Sequence, residues 1–183
     1  YKMRGLFSDF IVDNSKLGIT VADRNKVFAD VIIAVRDMKL SQDFQNNKND
    51  TFGDTYEFLM SMYAANAGKS GGEFFTPQEV SEILVRLATY DNDKIDSVYD
   101  PACGSGSLLM KFQKIIGKKN PNLKYYGQEI NPTTFNLCRI NMFLHNVNYN
   151  NFNIALGDTL LNPAHRGMEF DAIVSNPPYS LKW

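Results

Sequence analysis

The chain has 183 residues, of which 44% are hydrophobic and 21% are charged, and these values are ordinary for a globular protein with one α/β core. The formal net charge of −1 argues against a free-standing nucleic-acid binder, which usually carries a basic face. No apolar run approaches the roughly 20 residues of a membrane span and the start has no signal-peptide pattern, so we expect a cytoplasmic protein.

The first part of the chain has helical patterns. Thr20 and Asp23 form a capping-box pattern. Apolar residues then recur at helical spacing, namely Val27, Phe28, Val31, Ile32, Val35 and Met38. A second helix is predicted to begin near Asp54 and to stop at Gly68. We therefore assign residues 1–70 to an N-terminal helical region.

The segment Gly68–Gly72 reads Gly-Lys-Ser-Gly-Gly and superficially matches the end of a phosphate-binding P-loop. A P-loop needs a glycine where this chain has Tyr63, and it needs a strand before the loop where this chain predicts a helix. The glycines are better interpreted as a flexible hinge.

A strong helix start follows. Thr76 is predicted as the N-cap residue, Pro77 as the first helical residue, and Glu79 as the partner that completes a capping box. The simple interpretation is a well-capped helix. The functional one adds that Phe74 and Phe75, with the N–H groups of the helix start, form one wall of a small-molecule pocket.

From Asp96 onward, strand-like and helical segments alternate. This alternation predicts right-handed βαβ units and a parallel sheet, which binds ligands beyond the carboxyl ends of its strands. The predicted strands are Ser97–Tyr99, Lys124–Gln128, Phe152–Leu156 and Phe170–Ser175, and the predicted helices are Ser107–Ile116 and Pro132–Asn146.

The turn after the first strand contains Gly104, Ser105 and Gly106 and leads into a helix at Ser107. Glycines in that position let the backbone approach a ligand, and the free N–H groups of the helix start point at it, as in nucleotide-binding turns. The dinucleotide fingerprint requires Gly or Ala where this chain has Leu109, which argues against a nicotinamide or flavin dinucleotide.

Two acids follow later strands. Glu129 lies 23 residues after Gly106, close to the spacing at which an acid binds ribose hydroxyls, so the ligand is expected to contain a nucleoside. Asp158 follows the third strand and is placed to accept a hydrogen bond from an adenine amino group. Taken alone, Asp158 fits a turn or cap residue equally well.

The segment Asn176-Pro177-Pro178-Tyr179 follows the fourth strand. Two prolines fix φ and remove two N–H donors, so carbonyl acceptors remain in a rigid cluster. Asn176 adds a side-chain carbonyl and Tyr179 adds a flat ring, a combination that suits a planar NH₂ group. The alternative for these four residues alone is an ordinary Pro-Pro turn that closes a strand.

Cysteines and histidines predict no further chemistry. Cys103 and Cys138 are far apart and lack Cys-x-x-Cys spacing, so we expect two reduced packing thiols, without a zinc site or a disulfide. Cys103 has no histidine near it in sequence to activate it. His145 is expected on the surface near a helix end, and His165 stands alone in its loop, so no metal site is predicted.

Taken together, three motifs carry a family resemblance. The segments Gly72–Pro77, Asp100–Leu109 and Asn176–Tyr179, in this order and spacing, resemble amino-group DNA methyltransferases, and more narrowly the modification subunit of type I restriction-modification systems. The resemblance covers roughly residue 54 to the end. It implies an α/β fold with a partial, parallel, doubly wound Rossmann-like methyltransferase sheet over residues 71–183, incomplete at the C-terminus and preceded by the helical region.

The resemblance also implies a function: transfer of a methyl group from S-adenosylmethionine to the exocyclic amino group of adenine in DNA. By the same resemblance, each motif acquires an expected role. The cofactor-binding set is Glu73, Phe74, Phe75, Thr76, Pro77, Gln78, Asp100, Gly104, Ser105, Gly106, Ser107, Glu129 and Asp158, and the catalytic set is Asn176, Pro177, Pro178 and Tyr179. Gln78 departs from the arginine or lysine frequent at that position.

The implied partners are duplex DNA with a flipped adenine, a separate specificity subunit and a restriction subunit, without a membrane or a metal. The chain starts at Tyr1 and ends at Trp183, soon after the last predicted strand, so we expect a piece of a longer protein. Such a piece has an exposed sheet edge and should be poorly active alone.

Three other interpretations remain at this point. A methyltransferase that acts on RNA bases or on a protein glutamine would use the same planar NH₂ site. A non-catalytic assembly subunit would bind cofactor only for structure, although Asn176 and Glu129 argue against it. An oxidoreductase is disfavoured by Leu109.

Overall fold

The computed structural model of the chain describes residues 4–6, 11–37, 51–66, 76–92 and 94–178. Spatial contacts divide the chain into two compact units, one made of residues 1–4 and 51–183 and the other of residues 5–50. The larger unit thus includes the second helix, which the sequence analysis places in the region 1–70. The division into a helical region and a methyltransferase domain stays a prediction.

The smaller unit contains a short 3₁₀ turn at Ser15–Leu17 and the helix α1 (Val21–Asp37). The capping box that the sequence predicts forms completely. The Asp23 N–H donates to the Thr20 hydroxyl oxygen at 3.1 Å, and the Asp23 carboxylate accepts from the Thr20 N–H at 3.1 Å. These reciprocal bonds satisfy donors that a helix start otherwise leaves without partners.

The larger unit is built on four parallel strands in the order β3-β2-β1-β4. Their bounds are β1 Ser97–Asp100, β2 Lys124–Glu129, β3 Phe152–Leu156 and β4 Ala172–Ile173. The parallel sheet that the sequence predicts is therefore confirmed. The chain moves outward from β1 to β3 and then crosses to the other side of β1, which creates a topological switch point between β1 and β4.

Among the described residues of this unit, four α-helices accompany the sheet. They are α2 (Thr51–Asn66), α3 (Gln78–Ala88), α4 (Ser107–Phe112, continued by a π-helical turn at Gln113–Gly117) and α5 (Pro132–Leu144). Helix α4 packs on β1 and on α5, α5 packs on β2 and β3, α3 packs on α4, and α2 packs on α5. Within the described ranges, no helix combines the length and apolar character needed to cross a membrane.

The hydrophobic core lies between the sheet and these helices. Val98 and Tyr125, paired in register on β1 and β2, are buried against Leu109, Phe112 and Met142 of α4 and α5. The next pair along the strands, Tyr99 with Tyr126, points to the opposite face because side chains alternate along a strand. That second face is covered by the connection between β3 and β4.

The start of α3 differs from the prediction. The helix begins at Gln78, and its N-cap residue is Pro77, which has no side-chain group that could cap. The Ser81 N–H donates to the Pro77 carbonyl at 3.0 Å as the first helical bond. The predicted Thr76 cap, with Pro77 as the first helical residue and Glu79 completing the box, is therefore wrong.

Exposed and partly buried polar contacts attach α2 to the rest of its unit. The Lys114 ammonium bridges the Asp54 and Glu57 carboxylates at 2.6 and 2.7 Å, and the Tyr56 hydroxyl donates to the Leu137 carbonyl at 2.9 Å. His145 lies beneath this contact and is only 2% exposed. The expectation of a surface histidine is wrong because α2, distant in sequence, covers the end of α5.

Candidate functional site

The glycine turn connects β1 to α4 at the carboxyl edge of the sheet. Gly104 has φ +53° and Gly106 has φ +81°, both in the left-handed region that side chains other than glycine rarely adopt. The Cys103 N–H donates to the Gln128 carbonyl at 3.0 Å, which ties the turn to β2. The N-terminus of α4 thus opens at the carboxyl ends of two adjacent strands.

Glycine is also required at position 106 because the turn packs closely against α5, which leaves no room for a side chain. A Cβ atom there would lie 2.7 Å from the Cys138 sulfur on α5. Behind the turn, the fully buried Asn141 amide donates to the Ser105 carbonyl at 3.0 Å. Sequence analysis identified the glycines but missed Asn141, whose only sequence signal is a polar residue on the core side of a helix.

Glu129 closes the turn from the end of β2. One carboxylate oxygen accepts from the Gly104 N–H at 3.0 Å, and the other accepts from the Asn131 N–H at 2.8 Å. Burial raises the pKa of Glu129, while the N–H groups of Asn131, Gly104 and Ile130 act in the opposite direction. The glycine turn and the acidic strand end, which the sequence expects to converge, are in direct contact.

Asp100 ends β1 and is 2% exposed. Its carboxylate accepts from the Ala102 N–H at 3.0 Å. Burial raises the pKa of Asp100 to about 7, and the nearby Ser175 hydroxyl is among the groups that oppose this rise. Ser175 immediately precedes Asn176, so this proximity places the end of β4 beside the end of β1 at the switch point.

Asp158 follows β3, and the preceding Gly157 N–H donates to the Glu129 carbonyl at 2.9 Å. One Asp158 carboxylate oxygen accepts from the Leu160 and Leu161 N–H groups at 2.8 and 3.1 Å. The role of a turn-capping residue, the alternative from the sequence, is therefore observed for one oxygen. The other oxygen accepts no hydrogen bond from any residue that the structure describes.

Asn176 lies just beyond the short β4 strand. The last ladder bond comes from the Val174 N–H to the Tyr99 carbonyl at 3.0 Å. The Asn176 amide nitrogen then donates to the Thr76 hydroxyl at 3.3 Å, across 100 residues of sequence. Pro177 is exposed and Pro178 is half-buried. The motif thus projects from the sheet edge and contacts the residue two positions before α3.

Several residues of the expected site lie outside the described residues, namely Glu73, Phe74, Phe75 and Tyr179, as does the predicted hinge at 68–72. Gln78 is the first residue of α3, and its side-chain nitrogen is buried without an acceptor among the described residues. Ser107 begins α4 and is buried. A small polar ligand could satisfy the Gln78 donor.

The profile of the N-6 DNA methylase family matches residues 47–183, about three quarters of the chain. This chain belongs to the N-6 DNA methylase family. Membership confirms the resemblance to amino-group DNA methyltransferases that the sequence motifs indicate. It also agrees with the parallel sheet and the glycine turn described above.

Individual relatives extend the likeness. The chain is 52% identical over 190 residues to the type I restriction enzyme MpnII methylase subunit of Mycoplasma pneumoniae. This match covers 98% of this chain and 35% of that protein. It is also 36% identical over 146 residues to the type I restriction enzyme MjaVIII methylase subunit of Methanocaldococcus jannaschii. That match covers 75% of this chain and 25% of the relative. The chain thus spans about a third of the length of these relatives or less.

Solved structures agree. The type I restriction-modification methyltransferase subunit of Streptococcus thermophilus superimposes with a TM-score of 0.83 at 33% identity, covering all of this chain and 38% of that one. A Listeria monocytogenes protein assigned to the class I S-adenosylmethionine-dependent methyltransferases gives 0.60 at 16% identity, covering 97% and 50%. The second likeness shows the fold alone. The Rossmann-like methyltransferase fold is confirmed.

In this member of the N-6 DNA methylase family the two cysteines contact each other. The Cys103 and Cys138 sulfurs are 3.9 Å apart beneath the glycine turn, and both residues are buried. The hydrogen bond to Cys138, followed by burial, raises the pKa of Cys103 well above its usual value, so its sulfur stays a thiol. Among the residues that the structure describes, no group of three His, Cys, Asp or Glu is arranged to hold a metal ion.

Proposed function

We propose that this chain carries the cofactor site and the catalytic motif of an adenine-specific DNA methyltransferase that uses S-adenosylmethionine, as the modification subunit of a type I restriction-modification system. The observation that carries the proposal is the contact between the Glu129 carboxylate and the Gly104 N–H, with Asn176 beyond the adjacent strand end. Its relatives include type I restriction enzyme methylase subunits, which supports the same assignment.

The described residues fit S-adenosylmethionine chemically. The backbone of Gly104 to Ser107 and the Asp100 carboxyl would hold the methionine part, and the buried Gln78 nitrogen offers a donor for its carboxylate. Glu129 offers lone pairs to the ribose hydroxyls. One Asp158 oxygen accepts the N–H groups of the turn, and the other accepts no hydrogen bond from the described residues, so it is available to the adenine amino group. Glu73, Phe74, Phe75, Thr76 and Pro77 would close the site.

When bound, S-adenosylmethionine supplies an electrophilic methyl group on a positively charged sulfur. The remaining task of the protein is to align an amine nitrogen with that methyl group and to exclude water. The switch point suits this task because it places the glycine turn and the Asn176 motif at the ends of neighbouring strands.

Asn176 and Pro177 provide the acceptors for the amine. The adenine amino nitrogen is a poor nucleophile because its lone pair is delocalised into the ring. Hydrogen bonds from its two N–H groups to the Asn176 side-chain oxygen and the Pro177 carbonyl favour a tetrahedral nitrogen, and they strengthen toward the transition state. No group with a shifted pKa is needed as a base, since the proton leaves after the methyl group arrives.

Thr76 gives this acceptor its direction. The amide nitrogen of Asn176 donates to the Thr76 hydroxyl, so the amide oxygen points away from Thr76. An amide turned the other way would present N–H groups to the amine, and donor would face donor. Thr76 therefore acts on the catalytic motif in addition to its expected place at the cofactor.

A base inside a duplex cannot reach this motif, so the target adenine is flipped out and stacked, with Tyr179 as the stacking partner. The formal charge of −1 provides little attraction for phosphate groups. This agrees with what the family resemblance implies, namely that a separate specificity subunit reads and grips the DNA and that a restriction subunit completes the larger assembly.

The test is Asn176→Ala in the chain as it occurs in its full-length subunit, with the partner subunits present. Transfer of radiolabelled methyl groups to DNA should fall about a hundredfold or more, because an acceptor used in the transition state is lost. The affinity for S-adenosylmethionine, measured by calorimetric titration, should not change. The exposed Asn150→Ala variant is the matched control and should retain full transfer.

The same assay offers RNA and protein substrates in parallel. Full transfer to DNA by Asn176→Ala would refute the catalytic role of this residue. Transfer by the wild type to RNA or to a protein glutamine, without transfer to DNA, would contradict the adenine in DNA as substrate while leaving the methyltransferase chemistry intact.

A further inference from the structure

The connection between β3 and β4, residues 157–171, lies on the sheet face opposite α4 and α5. Its Phe170 ring stacks on Tyr99 of β1 with centroids 4.7 Å apart, and it contacts Tyr126 of β2 at 5.0 Å. His165 meets the edges of both tyrosines at 5.3 and 5.4 Å. This connection carries Asp158 at its start, so its attachment to the sheet helps to position Asp158, together with the bond from the Gly157 N–H to the Glu129 carbonyl.

Gln128 of β2 holds this connection through both ends of its amide. The Gln128 nitrogen donates to the Asn162 carbonyl at 3.0 Å, and the Gln128 oxygen accepts from the Ala164 N–H at 2.9 Å. The side chain is 1% exposed, so these bonds form away from competing water. A glutamine suits the position because one group must donate and the other must accept.

The bonds of Gln128 lead directly to the Asp158 turn. The Asn162 N–H donates to the Asp158 carbonyl at 2.8 Å and closes the turn, while the carbonyl of the same Asn162 is the group that Gln128 holds. His165 adds a parallel link, because its Nε2 lies 3.0 Å from the Gly127 carbonyl and donates to it. The connection is thus fixed to β2 at two successive strand residues.

The next residue of β2 is Glu129, whose carboxylate contacts the glycine turn. Three consecutive strand residues, Gly127, Gln128 and Glu129, therefore fix the two acids of the site relative to each other. A shift of the connection would change the separation of Asp158 from Glu129 without altering either acid.

We propose that Gln128 is a positioning residue that sets how strongly the site recognises the adenine ring of its cofactor. The proposal rests on the proposed function, because it requires that Asp158 accept from the adenine amino group. Neither the family resemblance nor the sequence motifs assign a role to Gln128 or to His165. Loss of the amide should loosen the Asp158 turn and weaken recognition of the amino group, with the ribose contact of Glu129 retained.

The experiment measures equilibrium binding by calorimetry to the full-length subunit. Two ligands are compared: S-adenosylhomocysteine and its analogue with hydrogen in place of the adenine 6-amino group. The wild type should prefer the amino-bearing ligand by roughly tenfold, the value expected for a hydrogen bond to a charged acceptor. In Gln128→Met, which retains the chain length without the amide, that preference should fall to about twofold or less.

Two further variants separate positioning from general damage. His165→Phe retains a ring against Tyr99 and Tyr126 but loses the bond to the Gly127 carbonyl, and it should reduce the same preference by roughly threefold. Asn120→Leu is the matched control, because the Asn120 amide donates to the Ile95 carbonyl, just before the amino end of β1 and away from the site. It should lower the thermal midpoint and leave the ligand preference intact.

The outcomes distinguish the two levels of the proposal. A wild type that binds neither ligand refutes the cofactor site, and one that binds both equally refutes the role of Asp158; either result overturns the role of Gln128. A wild-type preference retained in both Gln128→Met and His165→Phe overturns the positioning role alone. If Gln128→Met does not fold, His165→Phe decides the question by itself.

Discussion

The two sides of the site are built very differently. On the proposed cofactor side, β1 and β2 pair over four residues, and the Gly104 N–H, the Cys103 N–H and Glu129 connect the turn to the strand. On the amine side, β4 has two residues, and Asn176 is fixed by a 3.3 Å bond to Thr76 among other contacts. The comparison indicates that the proposed cofactor cradle is pre-formed, whereas the proposed catalytic motif depends on a segment distant in sequence.

Gly106 offers the strongest test of the rigid side. Gly106→Ala should destabilise the protein by about 3 kcal/mol or more, because the left-handed φ and the contact with the Cys138 sulfur add to each other. Gly167→Ala is the matched control, since Gly167 has φ +80° but no atom within 4 Å of the added Cβ. It should cost only about 1 kcal/mol.

Urea denaturation of both variants gives these energies, and calorimetric titration with S-adenosylmethionine shows whether Gly106→Ala also loses cofactor affinity. Equal losses of stability in the two variants would show that the space beneath the turn is not restricted, contrary to the close-packed cradle inferred here.

Asp100 gives a smaller, pH-dependent test of the same side. Its pKa is about 7 in the folded protein, raised by burial from an ordinary value of 3.8. Between these values the folded state binds more protons than the unfolded state, so stability falls as pH rises through this window and is constant above it. From pH 5 to pH 8, wild type should lose on the order of 2 kcal/mol relative to Asp100→Asn.

Asp171→Asn is the control for this measurement. Backbone N–H donation from Asp96, with further bonds from Ser97, lowers the pKa of Asp171, so its contribution to stability is lost only at pH values below about 4. Its difference from wild type should stay constant between pH 5 and pH 8. A pH-independent difference for Asp100→Asn as well would indicate that the Asp100 carboxyl is hydrated rather than buried.

The smallest expected effect concerns the amine side. Thr76→Val removes the hydroxyl that accepts from Asn176 at nearly constant volume, and it should lower single-turnover methyl transfer by about fivefold at saturating cofactor. Thr76→Ser retains the hydroxyl and should retain most of the rate. A loss of cofactor affinity without a loss of rate would instead assign Thr76 to the cofactor alone.

Local sequence patterns predict the geometry of the proposed cofactor side well. Parallel strands bring their carboxyl ends to one edge, so the contact between the segments around Gly104 and Glu129 follows from the alternation of strands and helices. The capping box of Thr20 and Asp23 is equally local and is confirmed. In both cases the relevant residues either neighbour each other or are related by a repeating unit.

The errors arise where distant segments meet. A six-residue strand was predicted over Phe170–Ser175, but pairing is shorter because the Phe170 ring packs on Tyr99 and the chain leaves β1 after Val174. His145 is buried by contacts with α2 that no local pattern encodes. Gln128 had only a weak signal, an uncharged polar residue between Gly127 and Glu129 in β2, and its partners lie more than 30 residues away.

The strand order has a consequence for how such a protein can diversify. Because β1 stands between β2 and β4, the two halves of the site belong to opposite neighbours of one strand. In the proposed site, the segment after residue 171 carries the acceptor motif and the segments from β1 to β3 carry the donor half, so we expect the two halves to tolerate substitution independently of each other.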